Sequence, residues 1–196
     1  LAGILAVNSF GDSLRQFLDN TYPNELRDDF PCDFRVISSH ALNSEVNFDS
    51  NTVTLYLYRI IVDQFQRNSI RAGQHSGQTP PLALDLHFMI SVWAEHSDAE
   101  HSIAAWLMRQ LYQFPLMDSS SLTPEGQWQA GEMVHLVPAE ISNEDLMRIW
   151  DALTPGYRLS MSYIARSVRL DVEEQGGDLP VVADRFQYED AEAGNG

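Results

Sequence analysis

The first residues in the chain that could do chemistry are Gly11-Asp12-Ser13-Leu14, a serine beside an acid after an apolar stretch. A nucleophilic serine needs a base to take its proton and donors to hold the developing oxyanion. The one Asp-x-x-His pair is Asp98 and His101, in mid-chain at an expected helix start. No Gly-x-Asn-Asp block supplies oxyanion donors. Such a nucleophile also needs a strand-turn-helix setting. Here the apolar stripe Val7, Phe10, Leu14 and Phe17/Leu18 runs straight through Ser13 at helical spacing. Ser13 is therefore expected as a solvent-facing helical serine.

Other chemistry is equally thin. His96 and His101 are five apart, which does not place them on one helical face. There is no H-E-x-x-H, and the single Cys32 cannot build a thiolate zinc site. Gly73-x-x-x-Gly77 lacks the lysine and the strand-to-helix setting of a phosphate loop. The acid pairs Asp28-Asp29 and Glu173-Glu174 are expected in water. No catalytic set, metal site or cofactor is expected. The tetrapeptide at Ser13 does resemble the nucleophile motif of GDSL esterases, so an esterase using Ser13 is the enzymatic alternative.

The elements that must position any site follow from periodicity. A helix is expected from about Ile4 to Asn20, stopped by Pro23. Phe34 to Ser38 reads as a short strand. Val53 to Phe65 reads as a longer one, with a bulge or change of burial after Arg59. Residues 66–82 are a polar loop. Leu84, Leu86, Phe88, Ile90 and Val92 alternate cleanly, so a large hairpin is expected. Ser97 with Glu100 forms a capping box for a helix burying Ile103, Trp106/Leu107, Leu111 and Phe114. Residues 117–131 are loop, and Met133 to Val137 a strand. Ser142 caps a helix burying Leu146, Ile149, Trp150 and Leu153. In the last strand, Leu159 to Val172, Leu159, Met161 and Tyr163 point one way and Ile164, Val168 and Leu170 the other. Strands mostly follow strands, so the fold class is α+β, a mixed, largely antiparallel sheet with flanking helices. Residues 1–175 form the domain and 176–196 an acidic tail.

Charge sets the partners. The chain has 196 residues and a formal charge of −16, and all twelve cations are Arg. Phosphate backbones and anionic membranes both need clustered cations, so neither nucleic acid nor direct membrane binding is expected. From Asp171 onward eight acids face one Arg, so much of the charge lies at the C-terminal end. The lone cysteine suits a reducing compartment and is compatible with a secreted particle. Leu1 in place of Met suggests that a few residues precede it. Arg binds carboxylates bidentately and suits protein interfaces. Interface candidates are Arg59, Arg166 and Arg169, Arg67 and Arg71 in the polar loop, Trp128, alone in its loop, and Phe186 and Tyr188 in the tail.

Several segments follow one another in a familiar order. They are Leu84–Glu95, the helix from Trp106-Leu107 to Pro115, Val134–Leu153 with Trp150, and Arg158–Tyr163. Together with the N-terminal helix they resemble the tail-terminator, or cap, proteins of phage-tail-like contractile injection systems of the antifeeding-prophage type. The resemblance spans about Ile4 to Glu173. It implies a structural, non-enzymatic protein assembled in the cytoplasm. Such a protein forms a ring, typically a hexamer, at the distal end of the particle. There it ends tube and sheath polymerisation and joins sheath to inner tube. A tail-completion or adaptor protein away from the tip is the non-enzymatic alternative.

Overall fold

The structure, a computed structural model, describes residues 2–43, 48–63 and 81–171. The expected polar loop and acidic tail, with Arg67, Arg71, Phe186 and Tyr188, lie outside the described residues. The elements run α1 (Ala6–Thr21), α2 (Asn24–Asp29), β1 (Cys32–Ile37), α3 (Ser39–Leu42), β2 (Asn51–Val62), β3 (Leu82–Trp93), α4 (Ser97–Gln113), β4 (Leu116–Met117), β5 (Val134–Pro138), α5 (Asn143–Asp151) and β6 (Ser160–Leu170). The six strands form one sheet in the order β1-β2-β3-β6-β5-β4. Among the described strands only β1 and β2 run parallel to each other. All other pairs are antiparallel, as the α+β reading expects.

Alternation along β3 sorts the molecule into layers. Leu84, Leu86, Phe88, Ile90 and Val92 enter a first core with Phe10, Leu14 and Leu18 of α1 and Ile103, Leu107 and Leu111 of α4. Met89 and Trp93 point the other way, into a second core with Leu42 of α3 and Trp150 of α5. The sheet is thus covered on both faces, though α5 covers its face only in part. Ser142 caps α5 as expected, its Oγ accepting from the Asp145 amide at 3.0 Å. The expected capping box at Ser97 does not form. The cap position is His96, and the Glu100 amide donates to the His96 carbonyl at 3.0 Å. Phe114 ends α4 half-exposed, outside the buried stripe, with its ring against Phe17.

Two bulges redirect side chains. In β2 the pairing shifts between Leu57 and Arg59, leaving Tyr58 as the extra residue. In β6, Arg166 and Ser167 together oppose Asp85. Ser167 takes φ 63°, and its amide donates to Asp85 Oδ1 at 3.1 Å. The extra residue flips the parity of the rest of the strand. Val168 and Leu170 therefore return to the first core beside Met161 and Tyr163. The sequence reading placed them with Ile164 because strict alternation cannot register an inserted residue.

The second core is built on indoles. Trp150 is buried, its ring 6.1 Å from Trp93, and its Nε1 donates to Ser160 Oγ at 3.2 Å. Trp93 Nε1 donates to Thr54 Oγ1 at 2.8 Å, and Arg158 stacks over the Trp93 ring. Trp150→Ala is expected to cost about 3–5 kcal/mol, because it removes a large buried side chain and leaves a hole. Chemical denaturation would show this, together with loss of near-ultraviolet dichroism from the paired indoles. A loss below about 1 kcal/mol would contradict the packing role.

Candidate functional site

Ser13 is buried, not solvent-facing, and this corrects the sequence expectation. Its hydroxyl donates to the Ser9 carbonyl at 2.6 Å and accepts the Thr123 amide at 2.8 Å. Ser9 Oγ shares a hydrogen with Thr123 Oγ1 at 2.7 Å and accepts the Trp128 indole N–H at 2.9 Å. These contacts fasten the loop after β4 onto α1. Gly126 lies between them, and a Cβ there would meet the Trp128 indole nitrogen and stand 2.7 Å from Ser9 Oγ. Apolar periodicity overlooked the cluster because serine counts as polar. Asp98 and His101 sit in the first turns of α4, where His101 is 3.9 Å from Glu100. The Ser13 proton is therefore directed at a main-chain carbonyl, and the serine works as a clamp.

Cys32 is buried at the start of β1, and burial pushes its thiol up to about 12. Burial likewise raises the Tyr22 hydroxyl to about 12, and this hydroxyl donates to the Phe30 carbonyl at 2.8 Å. Among the described residues no group of three His, Cys, Asp or Glu is placed to hold a metal ion. No described helix is long and apolar enough to cross a membrane.

The surface carries the remaining candidates. Trp128 and Arg169 line one groove of about 220 Å³ with Ser167 and Glu132. Trp128 is half-buried, so its indole is largely committed to the protein's own body. Arg59 and Arg166 stand on the second sheet face, beyond the area that α5 covers. Arg59 pairs in register with His87, and Arg166 with His135 of β5. His87 is partly buried there with its ring 5.9 Å from Tyr58. Desolvation lowers its pKa, the charges of Arg59 and Arg166 lower it further, and Asp85 opposes them. Sequence reasoning singled out the two arginines and read His87 and His135 as ordinary strand histidines, since only cross-strand register sets His87 between the arginines and His135 beside Arg166.

A second surface was missed altogether. Met108 and Tyr112, one helical turn apart on α4, are 56% and 85% exposed. Phe114 and Leu116 follow at 52% and 48%. The signal was present: Met108 and Tyr112 fall out of phase with the buried stripe of the same helix.

Comparison with known proteins now adds to this geometry. The family described as Pvc16 N-terminal domain matches residues 11–184. No curated protein sequence matches the chain. The fold is shared with the sheath/tube terminator of an extracellular contractile injection system, PVC, solved in its extended state. That match has a TM-score of 0.54 and 16% identity and covers 98% of this chain and 65% of the other. It is also shared with the tube-terminating cap of the anti-feeding prophage, at a TM-score of 0.50 and 13% identity over 93% of this chain and 59% of that one. The chain thus spans somewhat less than two thirds of the length of these relatives in structure.

Ser13→Ala strands the Thr123 amide and is expected to cost about 1–3 kcal/mol. The native chain should take no fluorophosphonate label at Ser13, and labelling that vanishes in the alanine variant would restore the esterase reading. Cys32 should resist a maleimide at pH 8 in the folded chain and react once unfolded. The raised thiol has a sign in stability. The folded state keeps its proton up to about 12, whereas the unfolded thiol loses it near 9. Stability from this group is therefore intact below pH 9 and falls as pH rises from 9 towards 12. A melting temperature flat across that window would contradict it.

Proposed function

The chain belongs to the Pvc16 N-terminal domain family, and from this premise we propose that it is a structural terminator of a contractile injection particle. The observation that carries the reading is the fold shared over 98% of the chain with a sheath/tube terminator. In this reading several copies, six in the simplest case, form a ring on the last layer of the inner tube. The ring holds the adjoining sheath and leaves no surface on which a further layer can grow. The protein is assembled in the cytoplasm with the rest of the particle and has no catalytic step.

Three physical features support a protein that ends a polymer. The first is the exposed apolar strip of Met108, Tyr112, Phe114 and Leu116, whose burial against another subunit gains about 25 cal/mol per Å². The second is the treatment of the sheet edges. At one edge β4 is two residues long. At the other, β1 carries the outward ion pair Arg35–Asp33 at 3.2 Å. Short and charged edges resist the addition of further strands. The third is Ser13, whose use as a clamp argues for packing over turnover.

Deleting the gene should give particles whose tubes and sheaths have irregular length or fall apart on purification. Electron microscopy of intact particles should place the protein as a ring at the end far from the baseplate. Unchanged particles in the deletion strain, or density elsewhere on the particle, would overturn the reading. Tyr112→Glu should weaken ring assembly while leaving the folding stability within about 0.5 kcal/mol of the native chain.

A further inference from the structure

Arg27, Arg35 and Arg148 each hold a carboxylate oxygen, at 3.2, 3.2 and 2.6 Å. Arg59 and Arg166, like Arg15, Arg109 and Arg158, hold none among the described residues, although the chain has 28 acids for 12 arginines. Both are exposed, and they flank His87 on the open part of the second sheet face. Arg59 and His87 also line a half-open cavity of about 560 Å³. The cavity's other walls include Ile141, Ile149 and Ile164. The sheet side of the rim is cationic at Arg59, with Arg166 beyond it, while the opposite side carries Glu140, Asp145 and an Arg148 already paired to Glu144. A cationic side next to an apolar wall suits a segment that interleaves carboxylates with bulky apolar side chains. A nucleic acid or phosphate would gain nothing from the apolar wall.

One stretch of this chain has that composition. Residues 178–192 hold Asp178, Asp184, Glu189, Asp190 and Glu192 against Arg185 alone, with Phe186 and Tyr188 set among the acids. We propose that the groove beside Arg59, His87 and Arg166 is the docking site for residues 178–192 of the same chain. Carboxylates meet the two guanidinium groups in charge-assisted, bidentate contacts, and an aromatic ring covers the isoleucine wall. Covalent attachment favours the same chain over a second copy. From Asp171 to Phe186 the backbone reaches about 50 Å, longer than the whole of β6 at about 36 Å. A tether of that length holds the segment near the groove at an effective concentration in the millimolar range. Glu140 and Asp145, on the α5 side of the cavity, direct the incoming carboxylates towards Arg59. This proposal stands apart from the terminator reading and survives its failure.

The test uses the full chain. Docked carboxylates stabilise the protonated form of His87, so its pKa by NMR titration should lie about 0.5–1 pH unit above that of a full-length variant with Asp184→Asn, Glu189→Gln, Asp190→Asn and Glu192→Gln. Arg59→Lys then provides an amine for carbodiimide coupling to a neighbouring carboxylate. In an equal mixture of ¹⁵N-labelled and unlabelled Arg59→Lys chains, cross-links from Lys to residues 178–192 should join peptides of the same isotope. The same His87 pKa in both chains, or no cross-link to residues 178–192, overturns the proposal. Mixed-isotope cross-links overturn it in favour of docking on a second copy. Amide spectra that overlay those of the native chain confirm that the variants are folded.

Discussion

Everything in this domain depends on the stretch of β3 from Phe88 to Trp93 having no solvent face. A strand buried on both sides must send alternate residues into two different cores, and each core must be supplied by other elements. Phe88 and Ile90 require the cover of α1 and α4 on one side. Met89 and Trp93 require α3 and α5 on the other. The polar side chains on the second face are accommodated by pairing with one another. Ser91 Oγ shares a hydrogen with Ser160 Oγ, and Tyr58 with Ser162, both at 2.9 Å. No buried side-chain nitrogen or oxygen among the described residues is left without a partner. The sheet can therefore be thick with hydroxyls without the cost of unmade hydrogen bonds.

Where α5 stops, the second face changes character. Indoles and hydroxyls give way to Arg59, His87, Arg166 and His135 across four strands. Both bulges fall at this boundary. One brings Arg59 level with His87, and the other leaves Arg166 on the open face while returning Val168 to the first core. A bulge adds a residue without adding length, which is how a regular sheet can change the chemistry of one face partway along. The apolar strip on α4 lies on the far side of the molecule's layers from these charges. One domain thus carries two unlike surfaces, one apolar and one charged.

Much of the architecture was legible in the sequence. The alternation in β3, the Ser142 cap and the helical stripe of α1 all depend on near neighbours in the chain, and local patterns record those. Features that depend on distant residues were not legible. Ser13 was read as exposed because its partner, Thr123, lies 110 positions away. The parity of Val168 was misread because a bulge is defined by two strands together. The capping box at Ser97 matched a local pattern that the chain does not use, since His96 takes the cap position. At the candidate surfaces, composition singled out Arg59 and Arg166, but only the fold shows that they share a face and flank one histidine. The family resemblance rests on several segments in order, and its most recognisable positions, Trp150 and Tyr163, are both buried packing residues. The sequence similarity therefore records how the domain is held together and says little about which surface it uses.

The strand order also has a consequence for the timing of synthesis. The last strand of the sheet to be made, β6, is placed in its middle, between β3 and β5. Until residue 170 leaves the ribosome, β3 has one bare edge, and the β4–β5 pair has no sheet to join. The N-terminal segment waits as well, because Ala2 bridges to Leu170 and its carbonyl accepts the Asp171 amide at 2.8 Å. Folding of this domain consequently waits for β6, with one edge of β3 exposed throughout the synthesis of some eighty residues. A chain that stops short of β6 therefore lacks the strand that joins the two halves of the sheet, and it cannot imitate the finished one.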